Sequence, residues 1–210
     1  MNLPNLKNIV GKGFNLDDRF IENYDVLAQV VELLKKFGNR IVLTQGVYDM
    51  YHVGHGRYLR QAKSFGDVLV VGVDTDELTR SRKGPKRPFD TFKERVEVLA
   101  DNRAVNIITP RELNDDPNRL IEVVRPDILI VSKTTSDFSE EKLAECRALC
   151  GEIKLLEAQA ATSTTAKLRR IMADGVQEFA KKIHTLTESF LEELEGAVQV
   201  KDDLEKEEPK

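Results

Sequence analysis

Residues 40–73 read RIVLTQGVYDMYHVGHGRYLRQAKSFGDVLVVGV. Ile41, Val42 and Leu43 form an apolar, mostly β-branched run that stops at Gly46, which predicts a short strand buried on both faces. From His52 the pattern turns helical, through GRYLRQAKSFG, and DVLVVGV at 67–73 predicts a second buried strand. Two buried strands joined through a helix make a parallel crossover.

The same alternation continues downstream. AVNIIT (104–109), PDILIV (126–131) and EIKLL (152–156) read as strands. PNRLIEVV (117–124), SEEKLAECRALCG (139–151) and TTAKLRRIMADG (164–175) read as helices. Upstream, ENYDVLAQVVELLKKF (22–37) puts Val26, Leu27, Val30, Val31, Leu33 and Leu34 on one helical face, and Gly38-Asn39 ends it. The expected fold is α/β: a Rossmann-like five-stranded parallel sheet with helices on both faces, plus an N-terminal helix and a C-terminal amphipathic helix. Sheets of this kind take ligands beyond the carboxyl ends of their strands, near the point where strand order reverses, and the turn after the first strand falls there.

The expected division is 1–38 for an N-terminal arm and helix, 39–174 for the sheet domain, 175–200 for the amphipathic helix and 201–210 for a tail. The first 20 residues read as a loosely held arm. Val176, Phe179, Ile183, Leu186, Phe190 and Leu194 recur by threes and fours and form one apolar stripe, expected to contribute to a homodimer. The tail, KDDLEKEEPK, is charged and expected to be disordered.

Charge and composition narrow the function classes. A net charge of −4 argues against a general nucleic-acid binder, although local basic clusters can hold a small anion. No run of 18 apolar residues reads as a membrane span, and the first 20 residues lack the basic-then-apolar layout of a signal peptide. Cys146 and Cys150 make no disulfide framework; one helical turn apart, they read as small packing residues. The expected setting is the cytoplasm. His184 reads as a solvated or interface residue.

His52 and His55 bracket Gly54 at the entry to a helix. Free backbone N–H groups at a helix start favour an anion, and two imidazoles there can donate hydrogen bonds to phosphate oxygens. Their plain reading is as turn and capping residues. A zinc pair is disfavoured, because helical histidine ligands usually stand four apart and no cysteine or third histidine lies nearby, so no metal-ligating side chain is assigned. The loop RSRKGPKRPF (80–89) carries Arg80, Arg82, Lys83, Lys86 and Arg87, a solvated loop in its plain reading. Arg95 has Thr91, Phe92, Val98 and Leu99 as its helical neighbours, so no local carboxylate pairs with it and it reads as free to meet a phosphate.

Over about residues 25–173 the chain resembles the cytidylyltransferase-like nucleotidyltransferase superfamily. Thr44, Gly46, Tyr48, Asp49, His52, Gly54 and His55 match the T-x-G-x-F/Y-D-x-x-H-x-G-H signature in order. Leu59 and Ala62, Gly66-Asp67 and Asp74-Thr75-Asp76 follow it. KGPKRPFDTFKERVEVL (83–99) is similar to the family's lysine loop and arginine-bearing helix, and TSTTAKLRRI (162–171) to its ISTT segment. The resemblance implies attack by a phosphate monoester on the α-phosphorus of a nucleoside triphosphate, with release of pyrophosphate. It implies catalytic roles for His52, His55, Lys86 and Arg95. It implies nucleotide contacts from Thr44, Gly46, Val47, Tyr48, Gly54, Lys83, Asp137, Ser163, Thr164 and Thr165, and substrate contacts from Asp49, Asp74 and Asp76. The triphosphate is expected to arrive with Mg²⁺.

Two departures bear on the base. AQAATSTT (158–165) has Ala158 where family cytidylyltransferases often carry arginine, and Ala161 in place of glycine. SKTTSDF (132–138) keeps Asp137-Phe138 of a segment that is otherwise glycine-rich. GVYDMYHVGH and its sequel resemble the phosphoethanolamine and glycerol-phosphate cytidylyltransferases, with CTP. RPFDTFKERVEVL and DDPNRLIEVVRPDILIV (115–131) resemble the heptose-phosphate adenylyltransferases. The balance leans to ATP and a sugar phosphate. A non-catalytic nucleotide sensor would be marked by loss of a histidine or of the ISTT hydroxyls, and both are present. A dinucleotide-binding protein would need G-x-G-x-x-G after the first strand, which is missing.

Overall fold

The computed structural model describes residues 8–9, 16–132, 140–157 and 164–206. The chain divides into two compact units, Met1–Ala161 and Thr162–Lys210. In the first, helices α1 (Leu16–Arg19) and α2 (Tyr24–Lys36) lead into β1 (Ile41–Gly46). There follow α3 (Val53–Lys63), β2 (Val68–Asp74), α4 (Asp76–Lys83), α5 (Phe92–Ala100) and β3 (Ile107–Arg111). Then come α6 (Arg119–Val124), β4 (Ile128–Ser132), α7 (Glu140–Arg147) and β5 (Glu152–Leu156). The second unit is α8 (Thr164–Lys206).

All five strands are parallel, in the order β3-β2-β1-β4-β5. Strand order therefore reverses at β1, between β2 and β4. Alternation along each strand feeds two cores. Ile41, Leu43, Val68 and Val70 pack with α2, α6 and Cys146 of α7 on one face. Val42, Leu69, Val71 and Val73 pack with α3 and α5 on the other. The expected five-stranded α/β sandwich is what forms. Gly72 is required by one close approach, since a Cβ there would lie 2.4 Å from Leu120 Cδ2 of α6.

Three expectations change. The arm is not loosely held where it is described: Ile9 is fully buried, and its carbonyl accepts from Asn106 Nδ2 at 2.8 Å. The buried Arg19 donates to the carbonyls of Ala100 and Val105, and Phe20 bridges to Ile108 of the edge strand β3. Those partners lie more than 80 residues away, beyond any local pattern. Second, Arg80, Arg82 and Lys83 stand on α4 rather than in a loop. The Thr75 hydroxyl caps α4, and Asp76 and Glu77 sit in its first turn, a start signal present in the sequence. Third, α8 runs through Gly175, and the helix reaches Lys206, so most of the expected tail is helical. One glycine in an exposed helix costs about 1 kcal/mol, too little to end it. The apolar stripe of α8 is exposed. Among the described residues no helix is long and apolar enough to cross a membrane.

Candidate active site

The turn between β1 and α3 sits at the carboxyl end of the central strand, where the sheet order reverses. Two non-glycine residues in it, Tyr48 (φ 58°) and Met50 (φ 48°), adopt left-handed backbone, a strained choice that surrounding contacts must enforce. Those contacts are visible. A Cβ on Gly46 would press on the Tyr48 ring at 3.2 Å, so only glycine lets that ring fold back over the strand end. Met50 N–H donates to Asp90 Oδ2 at 2.6 Å. Asp49 in turn accepts from Phe89 N–H (2.8 Å), Asp90 N–H (3.0 Å) and Arg87 Nη1 (2.8 Å).

His52 is the N-cap of α3: its Nδ1 accepts from Gly54 N–H at 3.0 Å. A ring nitrogen that accepts carries no proton, so the proton of neutral His52 lies on Nε2. The His52 and His55 rings stack at 4.1 Å and 18°. His55 is further flanked by Tyr48 at 5.6 Å and Tyr51 at 5.4 Å. Asn102 Nδ2 donates to the Tyr51 hydroxyl at 2.5 Å and fixes that wall. Capping and pairing of imidazoles thus coexist at one helix start, the end of a helix whose dipole favours an anion.

Beneath the turn, buried Thr44 shares a hydrogen bond with Tyr58 of α3 at 2.8 Å. Desolvation pushes the Tyr58 phenol up to about 12, so it remains a neutral partner. Val47 is buried, and its carbonyl accepts from Arg95 Nη1 at 2.6 Å. Arg95 is not the free cation its helical neighbours suggested. Its side chain is fully buried, with Nη2 on Asp76 Oδ1 at 2.7 Å and Nε on the Asp90 carbonyl at 3.2 Å. It ties the turn, the start of α4 and the loop before α5 together.

The three carboxylates expected to meet substrate are likewise engaged. Asp49 holds Arg87, Asp76 holds Arg95, and Asp74 accepts from Arg82 (3.0 Å) and Arg111 (2.8 Å). Asp74 thus joins Arg82 and Arg111 at the ends of β2 and β3. Lys83 is the last residue of α4; desolvation lowers its ammonium pKa, opposed by Asp74 and reinforced by Arg87 and Arg82. Lys86 is exposed in the turn that follows. Asp137 and Ser163 lie outside the described residues. Thr164 and Thr165 open α8. Among the described residues no three His, Cys, Asp or Glu side chains gather to hold a metal. The sequence reading missed Asp90 and Arg111; the Asp90-Thr91 pair heading a capping box was the signal for the first.

Asp49 gives a pH prediction. Burial pushes its carboxyl up, but the N–H groups of Asp90, Arg87 and Phe89 together outweigh it, and the pKa falls below the usual aspartate value. A depressed folded pKa means stability that is whole above roughly pH 4 and is lost as pH falls through the lower folded value. Unfolding free energy of the wild type should therefore fall more steeply below pH 4 than that of Asp49→Asn. Equal slopes in urea titrations would show that the Asp49 carboxylate does not stabilise the turn.

The chain is similar to known proteins over most of its length. The cytidylyltransferase-like family model matches residues 43–186. Bifunctional protein HldE of Sulfurimonas denitrificans is 36% identical over 157 residues, 75% of this chain and 32% of that protein. The protein of the same name from Pectobacterium carotovorum is 38% identical over 152 residues, 71% of this chain and 31% of its own length. That from Geotalea uraniireducens is 33% identical over 172 residues, 80% and 34%. The chain spans about a third of the length of these relatives.

Proposed function

Because the chain belongs to the cytidylyltransferase-like family, we propose that it is a nucleotidyltransferase that joins a nucleotidyl group from a nucleoside triphosphate to a small phosphate monoester. The observation that carries this reading is the stacked His52–His55 pair at the helix start beyond β1. An oxygen of the monoester attacks the α-phosphorus, the new P–O bond forms, and the bond to the β-phosphate oxygen breaks with its electron pair leaving on pyrophosphate. No covalent enzyme intermediate is needed, so the protein's part is positioning and charge stabilisation. His52, with Nδ1 committed to Gly54, offers Nε2–H to phosphate oxygens. His55, braced by two tyrosines, offers a second imidazole. Lys83 and Lys86 supply cations for the leaving pyrophosphate; hydroxyl contacts from Ser163, Thr164 and Thr165 are carried only by the resemblance of TSTTAKLRRI to the family's ISTT segment.

With Asp49, Asp74 and Asp76 each held by arginine, the residues fit a Mg²⁺ that arrives on the triphosphate and keeps its waters, not one held in a carboxylate cage. When bound, Mg²⁺ neutralises charge on the phosphate oxygens. The nucleotide is read as ATP and the acceptor as a sugar phosphate, supported by Ala158 and by the similarity of residues 115–131 to the heptose-phosphate adenylyltransferases. CTP with a glycerol or amino-alcohol phosphate is the second reading, supported by GVYDMYHVGH. The setting is the cytoplasm, in keeping with two free cysteines, and the reading includes a homodimer built on α8.

A panel of triphosphates against sugar, glycerol and amino-alcohol phosphates, followed by pyrophosphate release, tests this. ATP with a sugar 1-phosphate should be fastest, chelator should stop it, and added Mg²⁺ should restore it. A clear preference for CTP reverses the base; no pyrophosphate from any pair overturns the reaction class.

A further inference from the structure

We propose that α8 pairs antiparallel with α8 of a second copy of this chain, as a two-stranded coiled coil. The inference rests on α8 alone and is independent of the catalytic reading. Met172, Val176, Phe179, Ile183, Leu186 and Phe190 follow one another in alternating steps of four and three. That is a period of 3.5 residues, which keeps a seam facing a partner helix rather than drifting around the axis. All six are exposed, Phe179 and Leu186 by 66% and 68%. Six such side chains left in water would forgo roughly 1.5–3 kcal/mol each.

Charge decides which occupant and which direction. Over the stretch that the partner helix overlaps, 164–198, the basic end (164–174) carries three lysines and arginines against one acidic residue, and the acidic end (188–198) carries none against four. A parallel pair would set acidic half on acidic half. An antiparallel pair sets each basic half on its partner's acidic half, so the helix is its own complement. The registers agree. Antiparallel coils place each a residue opposite a d residue. That sets Met172 opposite the partner's Phe190, Val176 opposite its Leu186 and Phe179 opposite its Ile183. In the same register positions 167–170, with three cations, lie opposite positions 192–195, with three carboxylates. Of the six flanking positions, 173, 175, 180 and 189 are Ala, Gly, Ala and Ser, small enough for close approach, and 182 and 187 are Lys and Thr.

The test uses the full chain. Sedimentation at micromolar concentration should give twice the 23.8 kDa chain mass. Phe179→Glu with Ile183→Glu should give a monomer whose sheet unit melts unchanged, since both side chains are exposed. For direction, chains carrying Met172→Cys are mixed with chains carrying Phe190→Cys and oxidised, with the wild type as blank for Cys146 and Cys150. Disulfide-linked dimers should form in the mixture and not, above the blank, with either variant alone. A monomeric wild type, a doubly substituted variant that stays dimeric, or cross-linking of Met172→Cys chains to each other overturns the proposal.

Discussion

Replacing His55 by alanine should lower the rate of pyrophosphate release by about a hundredfold or more, equal to roughly 2.7 kcal/mol of transition-state stabilisation. The fold should persist, because the ring is only half-buried and Tyr51 beside it keeps its hydrogen bond from Asn102. His52 needs a subtler replacement. Alanine there removes both an imidazole and an N-cap, and the cap alone is worth about 1 kcal/mol of stability. His52→Asn keeps a good capping side chain for Gly54 while removing the ring. It should match His55→Ala in turnover and the wild type in urea midpoint. Full turnover in both variants would end the case for the histidine pair as the catalytic centre.

Replacing Arg95 by methionine should cost about 3 kcal/mol of stability, because it strips partners from Asp76 and from the Val47 and Asp90 carbonyls. For a chain of this size that is a fall in melting temperature of roughly 6–12 °C. Asp76 is 27% exposed and can be partly rehydrated, which keeps the loss from being larger. Arg95→Lys should recover only part of it, since one ammonium cannot span three acceptors on three segments. An Arg95→Met protein with wild-type stability and a loss confined to triphosphate binding would make Arg95 a ligand contact after all.

The contrast between those residues shows what could be read from sequence. The strands follow from short apolar runs stopped by turn residues, and the helix that His52 caps from the pattern that turns helical after it. The motif spacing placed the histidines at the strand-order reversal because that place depends only on chain direction and crossover handedness. The ion pair of Arg95 was hidden because its partner Asp76 is 19 residues away on another element, and helix spacing tests only neighbours three and four away. The same reason hides Asp49 with Arg87, and Arg19 with the carbonyls of Ala100 and Val105. Polar side chains that lock tertiary structure leave no periodic trace. At Gly175 the error was of another kind: a residue that ends many helices was weighed above an apolar stripe continuing on both sides of it.

Met50 and Asp49 bond to the segment 87–90, and Asp90 bonds back, so the two segments hold each other. Loosening the β1–α3 turn breaks bonds that order the segment just after Lys86, and loosening that segment takes bonds from the turn. Arg95 spans both, gripping Val47 on one and Asp90 on the other. The two segments therefore breathe as one cooperative unit, with a single opening free energy. A ligand that binds either segment lowers the entropy cost of ordering the other.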